Sequence, residues 1–289
     1  MSRKTMKIGS KVIGDGHPCY IVAEIGINHN GSVETAFSLI DLALEAGCDA
    51  VKFQKRTVDV IYTAEELARP RESPFGLTNG DLKRGLEFGF EEYSKIDKYC
   101  KQKGICWFAS CWDEASVEFI EKFNPPCYKI ASASLTDDGL LRQHKKYGKP
   151  LIISTGMSTN EQIKHATEIL GTENLTILHS TSTYPAQPEE LNLNVIKTLR
   201  KEFSVPIGYS GHETGMLTSF AAVVLGACMV ERHITLDRAL WGSDQAASLG
   251  PAGIKALVEY TRGFEIAQGD GIKKVYPSEV PIIQKLRRK

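Results

Sequence analysis

Eight short apolar runs, each followed by an amphipathic stretch, constrain the fold of this chain more than any other feature. Such runs are typical of strands buried on both faces, and the stretches between them are typical of helical crossovers. The predicted strands are Tyr20–Ile25, Ala50–Phe53, Cys106–Ala109, Cys127–Ile130, Leu151–Ser154, Thr176–His179, Pro206–Gly208 and Cys228–His233. The predicted helices are Val33–Ala46, Glu92–Lys103, Glu114–Phe123, Leu140–Tyr147, Asn160–Leu170, Asn192–Phe203, Met216–Leu225 and Ala252–Ala267. Eight strand–helix units within 289 residues favour an α/β fold, a closed (β/α)8 TIM barrel rather than an open sheet.

The remaining segments fit one barrel domain that spans residues 1–289. Residues 1–16 predict a short N-terminal β-hairpin that turns at Gly9 and Ser10 and plugs the bottom of the barrel. Residues 69–89 are rich in Pro, Gly, Arg and Asn, and an irregular segment of this length is typical of a lid or binding loop. Residues 271–289 predict an exposed, basic C-terminal tail.

The charge balance and the cysteines limit the partners and the compartment. Lys plus Arg and Asp plus Glu both number 35, so neither a nucleic acid nor an anionic membrane is expected as a partner. The seven cysteines are odd in number and form no CxxC motif, which favours a reducing compartment over a disulfide framework. No segment has the apolar length of a signal peptide or a membrane span. We therefore expect a cytoplasmic protein.

Polar residues stand at or just after the C-terminal end of every predicted strand. In a TIM barrel the active site lies at these strand ends, so their side chains should meet around one mouth. In chain order they are Glu24, Lys52 with Gln54, Ser110, Lys129 with Ser132, Ser154 with Thr155 and Gly156, His179 with Ser182 and Tyr184, Ser210 with His212, and Glu231 with His233.

Two lysines and several hydroxyl groups in this set suit an anion. Lys52 and Lys129 each lie inside an apolar run, and a buried lysine needs a negative partner. That partner is either an internal carboxylate such as Glu24, in a structural salt bridge, or the phosphate or carboxylate of a ligand. Serines 132, 154, 182 and 210 and the backbone amides of residues 154–156, which precede a predicted helix, would serve a phosphate well.

His212 and His233 form the candidate metal site, on neighbouring strand ends. Neutral imidazoles bind Mn²⁺, Fe²⁺, Co²⁺ or Zn²⁺, and two of them leave coordination positions open for water and substrate. Two histidines are also compatible with a purely structural role. Glu231 lies on the same strand face as His233 and is placed to orient or complete the site.

Seven motifs in order resemble those of the sialic acid synthase family, the N-acetylneuraminate and N-acylneuraminate-9-phosphate synthases. They are AEIGINHNG, AVKFQKR, YKIASAS, ISTGM, HSTSTYPAQPEELNL, IGYSGHETG and ERHITLDRALWGSDQAASL, and the likeness covers about residues 17 to 268. The resemblance implies a TIM barrel that condenses phosphoenolpyruvate with the open chain of an N-acylmannosamine, or its 6-phosphate. The products would be an N-acylneuraminate-type 3-deoxy-2-keto acid and phosphate.

The resemblance also assigns roles to residues. It implies a divalent metal, Mn²⁺ or Mg²⁺, on His212 and His233, and a homodimer. By motif match, phosphoenolpyruvate would be held by Lys52, Lys129, Ser132, Ser154, Ser182 and Ser210. The aldehyde sugar would face Glu24, Gln54, Tyr184 and Asp244. Glu24 is then the candidate for taking the proton of the attacking water.

Departures from the family pattern leave the identity of the acceptor sugar undetermined. By the resemblance, a small antifreeze-like C-terminal domain usually follows the barrel, and we expect it to be missing after Lys289. In addition, Ser134 replaces an acidic residue of many relatives, and Ser182 lies where some have Asn. The alternative product is another nonulosonic or octulosonic acid, such as legionaminate, pseudaminate, Kdn or a Kdo-like acid. Two further alternatives are a metal-dependent barrel hydrolase and a sugar-binding barrel without catalysis. The hydrolase would usually carry HxH after the first strand, where this chain has Asn28-His29-Asn30.

Overall fold

The apolar runs form eight parallel strands that pair in a closed barrel, so the predicted TIM barrel is confirmed. A computed structural model describes residues 3–288 of the chain. Strands that are consecutive along the chain are neighbours in the barrel, and the last strand closes against the first through Val230 and Ile21. The barrel strands are β3 (Tyr20–Gly26), β4 (Ala50–Lys55), β7 (Cys106–Cys111), β8 (Tyr128–Ile130), β9 (Leu151–Ser154), β10 (Leu175–Ser180), β11 (Ile207–Gly211) and β12 (Met229–His233).

Side chains along each barrel strand alternate between the barrel interior and the helices around it. On β3, for example, Ile21 and Ala23 face the helices, while Tyr20 and Val22 fill the lower interior. One step further along the same inner face stands Glu24, which is polar and buried. This alternation therefore builds an apolar lower layer and a charged upper layer at the C-terminal ends of the strands.

Seven helices connect successive strands, an eighth follows the last strand, and local sequence signals set their ends. They are α1 (Val33–Ala46), α5 (Phe90–Lys103), α6 (Glu114–Glu121), α7 (Asp138–Lys145), α8 (Asn160–Leu170), α9 (Asn194–Glu202), α10 (Leu217–Val224) and α11 (Pro251–Ala267). The side chains of Asp113 and Thr159 cap α6 and α8 by accepting from backbone amides. Gly47 ends α1 at a φ of 83°, a conformation that costs glycine little. No helix among the described residues combines the length and apolarity needed to cross a membrane.

The N-terminal hairpin is present where the sequence predicts it. It consists of β1 (Met6–Ile8) and β2 (Lys11–Ile13), which pair antiparallel. Met6, Ile8 and Ile13 are buried in one cluster with the lower interior residues of the barrel, among them Phe108 and Leu178. The hairpin therefore closes the N-terminal end of the barrel and leaves the opposite end as its mouth.

The prediction of an irregular loop over residues 69–89 is wrong. The segment that follows β4 contains α2 (Val58–Ile61), α3 (Ala64–Ala68), a hairpin of β5 (Pro70–Ser73) and β6 (Gly76–Thr78), and α4 (Asn79–Leu86). Thr78 and Asp81 form a capping box that starts α4. The tail after residue 270 is exposed as predicted, but it includes a short helix, α12 (Val280–Leu286).

Candidate active site

Four charged side chains from four strand ends meet inside the barrel mouth. The Nζ of Lys52 lies 2.9 Å from Oε2 of Glu24 and 3.5 Å from Oε1 of Glu231. The Nζ of Lys129 lies 3.5 Å from the same Oε1 of Glu231. The internal carboxylate partners that the sequence left open are therefore present for both lysines. Two positive and two negative groups balance one another in a water-poor pocket.

Burial and pairing shift the pKa values of these groups in different directions. Burial raises the pKa of Glu24 to about 7, although Lys52 pulls it down. Burial also acts to raise the pKa of Glu231, but Lys129 and Lys52 outweigh it and hold that pKa below its usual range. Burial lowers the pKa of Lys129, and Glu231 only partly offsets this. Glu24 is thus the member of the cluster best tuned to gain and lose a proton near neutral pH.

His212 and His233 point into the same mouth, with ring centres 5.8 Å apart. Nδ1 of His212 lies 2.7 Å from the carbonyl oxygen of Thr181. A carbonyl oxygen only accepts, so Nδ1 carries the proton and Nε2 keeps its lone pair. The hydroxyl of Tyr184, 3.0 Å away, donates to this Nε2. Burial lowers the pKa of both histidines, that of His212 to about 4, so both imidazoles are neutral at pH 7.

The two imidazoles fit the ligand chemistry of a divalent transition metal. Nδ1 of His233 is buried, and the part of the chain that the structure describes offers it no hydrogen-bond partner. Nε2 of His212 is a second neutral nitrogen donor if the Tyr184 hydroxyl gives up its hydrogen bond to it, and both histidines line the same cavity. Between residues 3 and 288, no group of three or more His, Cys, Asp or Glu side chains is arranged to hold a metal ion. A cation bound here would therefore take its remaining ligands from water or substrate.

Small residues and hydroxyl groups line the other side of the mouth. A Cβ added to Gly156 would lie 2.1 Å from Oγ of Ser182 and 2.9 Å from Oγ of Ser132, so both hydroxyl groups would have to move. Oγ of Ser154 is buried and has no hydrogen-bond partner among the described residues. A buried hydroxyl without a partner is uncommon and indicates that a polar ligand completes the site.

One part of the predicted anion site is wrong. The backbone amide of Gly156 donates to Oγ of Ser132, and that of Thr155 donates to the carbonyl of Leu178. Helix α8 begins only at Asn160, and Thr159 caps it. The amides of Thr155 and Gly156 therefore have partners within the protein. The lysines and the Ser210 hydroxyl also have partners, which are the carboxylates of Glu24 and Glu231, and an anion would compete with these carboxylates.

The mouth encloses a cavity of about 170 Å³. Its lining includes twelve of the fourteen predicted site residues: Glu24, Lys52, Gln54, Lys129, Ser132, Ser154, Ser182, Tyr184, Ser210, His212, Glu231 and His233. The other two adjoin residues of this lining. Gly156 backs onto the serines, and Oδ2 of Asp244 lies 3.9 Å from Nδ1 of His233. His179, which the sequence also placed at a strand end, instead bonds the carbonyl of Leu191 outside this cavity.

The sequence reasoning missed a second set of residues around Gln54. The amide of Gln54 donates to Oε1 of Glu24 over 3.0 Å, and its own oxygen accepts from Nη2 of Arg56 over 2.6 Å. Arg56 also pairs with Glu87 and stacks over the ring of Trp112, which lines the cavity. This chain of contacts fixes which way the Gln54 amide faces. The only signal in the sequence is the two-residue spacing that places Gln54 and Arg56 on one face of the chain.

Comparisons with known proteins identify relatives of this chain. A profile described as NeuB family matches residues 39–273. The human N-acetylneuraminate-9-phosphate synthase is 42% identical over 279 residues, which cover 95% of this chain and 78% of the human protein. The N,N'-diacetyllegionaminic acid synthase of Legionella pneumophila is 35% identical over 97% of this chain and 82% of its own length.

A solved structure shows the same fold at lower identity. It is the N-acetylneuraminic acid (sialic acid) synthetase of Leptospira borgpetersenii, which is 28% identical and superposes with a TM-score of 0.86. The superposition covers 99% of each chain.

Proposed function

The chain belongs to the NeuB family, and we propose that it condenses phosphoenolpyruvate with the open-chain form of an N-acylmannosamine or its 6-phosphate. The products would be an N-acylneuraminate-type 3-deoxy-2-keto acid and inorganic phosphate. The observation that carries the proposal is the meeting of Lys52, Lys129 and the imidazoles of His212 and His233 in one small cavity. An anion and a polarised carbonyl can occupy this cavity side by side.

The lysines would change partners when phosphoenolpyruvate binds. With no ligand, their charges are balanced by Glu24 and Glu231. The carboxylate and phosphate of the substrate bring stronger negative charge, and the hydroxyl groups of Ser132, Ser154, Ser182 and Ser210 would complete their hydrogen bonds. Once the lysines have exchanged partners, their charges stabilise negative charge that persists through the reaction.

The reaction needs one bond to form at each of two carbons of phosphoenolpyruvate. C3 bonds to the aldehyde carbon, and the aldehyde oxygen takes up a proton. The oxygen of a water molecule bonds to C2 while Glu24 accepts the proton that this water loses. The bond between C2 and the phosphate oxygen then breaks while the C2 hydroxyl passes its proton to the departing phosphate, which leaves the ketone and releases phosphate. The proton accepted by Glu24 balances the one that the aldehyde oxygen takes up. Gln54 holds the Glu24 carboxylate in place for this proton transfer.

His212 and His233 would hold the divalent metal, which we propose is Mn²⁺ or Mg²⁺. A metal at this position supplies Lewis-acid polarisation of the aldehyde oxygen. Thr181 fixes the tautomer of His212 so that Nε2 faces the cavity. Tyr184 and Asp244 flank the two imidazoles, and the proposal assigns them contacts with hydroxyl groups of the sugar.

The human relative favours an N-acetylmannosamine-type acceptor, and the Legionella relative supports the alternative of a diacetylated legionaminate precursor. We also propose a cytoplasmic homodimer. All seven cysteines are free, which is consistent with a reducing compartment.

The direct test is to incubate the protein with phosphoenolpyruvate, Mn²⁺ and a panel of aldoses that includes N-acetylmannosamine and its 6-phosphate. Phosphate release is followed and the product is identified by mass spectrometry. We expect release only with an N-acylated aldose. His212→Ala should lose both activity and bound metal, whereas Gly263→Ala, in open space on α11, should keep both. Full activity of the His212→Ala protein without bound metal would contradict the metal assignment.

A further inference from the structure

Arg232 is the largest fully buried side chain in the part of the chain that the structure describes. It lies on β12 between Glu231 and His233, and the alternation of the strand turns it away from the cavity that both neighbours line. Its Nη1 lies 2.9 Å from Oε1 of Glu213, with both side chains almost wholly inaccessible to solvent. The structure therefore has a buried ion pair directly behind the candidate metal site.

The ion pair is surrounded by further hydrogen bonds. Nη1 of Arg232 donates to the carbonyl of Gly215 over 2.6 Å, and Nη2 donates to the carbonyl of Glu213 over 2.6 Å. The Glu213 carboxylate accepts from the hydroxyl groups of Tyr209, over 2.9 Å, and Ser219, over 2.7 Å. These contacts tie β12 to β11 and to the turn that leads into α10.

Each partner of this pair is the chain neighbour of one histidine. Glu213 directly follows His212, and Arg232 directly precedes His233. Across the sheet, Arg232 stands opposite Gly211, where an added Cβ would lie 2.5 Å from Oε2 of Glu213 and 3.0 Å from Cδ of Arg232. The pair thus packs on the backbone that carries His212, without a side chain between them.

A stabilising role alone explains this arrangement poorly. Taking two charges out of water is costly, and well-packed apolar residues of similar volume are often as stabilising as a buried ion pair. A guanidinium with several fixed partners does, however, define the relative position of the segments that it joins.

We propose that the Arg232–Glu213 pair is a positioning device that holds the imidazoles of His212 and His233 at the separation required to share one divalent cation. This inference rests on the metal site of the proposed function. Arg232 and Glu213 touch neither the metal nor the substrate and act through the two histidines.

The test measures the affinity for Mn²⁺ by calorimetry with no substrate present. Glu213→Gln keeps the shape and most hydrogen bonds of the side chain but removes its charge. We expect it to weaken Mn²⁺ binding about 10- to 100-fold, the usual effect of removing a partner that orients a metal ligand. Activity should fall at low Mn²⁺ and recover at saturating Mn²⁺, while the KM for phosphoenolpyruvate stays near that of the wild type.

A matched control lies at the opposite end of the barrel. Asp49 is buried and accepts from the backbone amide of Ile21 and from Nη2 of Arg262, over 2.7 and 3.0 Å. Asp49→Asn should lower the melting temperature and leave the Mn²⁺ affinity unchanged. If Glu213→Gln does not fold, Ser219→Ala removes only one hydrogen bond from each partner and should weaken Mn²⁺ binding about twofold to fivefold.

The outcomes separate the two proposals. Mn²⁺ affinity equal to that of the wild type in the Glu213→Gln protein, or in the Ser219→Ala protein if that is the variant that folds, overturns the positioning role. In that case the loss of binding in His212→Ala would leave the proposed function standing. A wild-type protein that binds no Mn²⁺ would overturn both the metal site and the inference.

Discussion

Replacing Glu231 by Gln should make the ligand-free protein less stable and make it respond more strongly to an anion. Oε1 of Glu231 lies 3.5 Å from Nζ of both Lys52 and Lys129. Two unit charges at that distance attract by about 5 kcal/mol at an effective dielectric constant of about 20. Part of this attraction offsets the cost of burying Glu231 itself, and breaking a buried ion pair costs about 3–5 kcal/mol. We therefore expect the free energy of unfolding of Glu231→Gln to fall by about 3–5 kcal/mol at pH 8.

Inorganic phosphate should restore much of this loss. In the wild type an anion competes with Glu231 for the lysines, whereas in Glu231→Gln one lysine charge has no internal partner. Phosphate should therefore bind the variant more tightly, and binding to the folded state adds to its stability. Urea denaturation with and without phosphate measures both effects. Glu45→Gln, at an exposed position on α1, should change stability by less than about 0.5 kcal/mol and is the control.

The pH dependence of the stability difference tests whether the negative charge of Glu231 causes it. The pKa of Glu231 is lowered in the folded protein, so its stabilising contribution is present above its ordinary pKa and is lost as the pH falls through the lowered one. The stability difference between wild type and Glu231→Gln should therefore shrink in acid. A variant as stable as the wild type at pH 8, or an equal response of both proteins to phosphate, would refute the proposed charge cluster.

Three further predictions address individual residues. Gly156→Ala should abolish stabilisation by phosphoenolpyruvate while the protein stays folded, because the added Cβ would lie 2.1 Å from Oγ of Ser182. Thermal shift assays measure this, with Gly263→Ala as the control. A melting-temperature shift with phosphoenolpyruvate equal to that of the wild type would refute the serine-lined site. Because burial raises the pKa of Glu24 to about 7, kcat/KM should fall as the pH drops below that value and the carboxylate becomes protonated. Glu24→Gln should lower kcat by about 10²- to 10⁴-fold and remove that acidic limb from the pH–rate profile, and a retained limb would exclude Glu24 as the base. Mn²⁺ binding by His212 should persist at pH 6, because burial lowers the pKa of this imidazole to about 4 and keeps it neutral. Calorimetry at pH 6 and pH 8 measures this. A Mn²⁺ affinity that falls at pH 6 because the imidazole must lose a proton near pH 6.5 would contradict the prediction.

Much of the site was predictable because a barrel repeats one geometric rule. Side chains alternate along every strand, and all strands end at the same mouth. Lys52 and Lys129 therefore had to point inward at the same level as Glu231 once the strands were assigned. Lys52 and Lys129 are more than 70 positions apart in sequence, yet the period of two brings both side chains into the same mouth.

The errors have local and long-range causes. Residues 69–89 contain several turn-forming residues, but Thr78 and Asp81 also carry the capping signal of α4, and the prediction gave the turn residues more weight. Phe75 packs against Gly31 and Gly85, a contact that no local pattern encodes. No sequence pattern predicts the ion pair of Arg232 with Glu213, because the two residues lie 19 positions apart and meet only in the folded barrel.

The central claim is that C3 of phosphoenolpyruvate bonds to the aldehyde carbon of an N-acylated aldose. The most direct measurement uses phosphoenolpyruvate labelled with ¹³C at C3, the aldose labelled with ¹³C at C1, and NMR of the reaction mixture. We expect a one-bond ¹³C–¹³C coupling in the product and one phosphate released for each coupled pair. Phosphate release without that coupling, or no reaction with any N-acylated aldose, would contradict it.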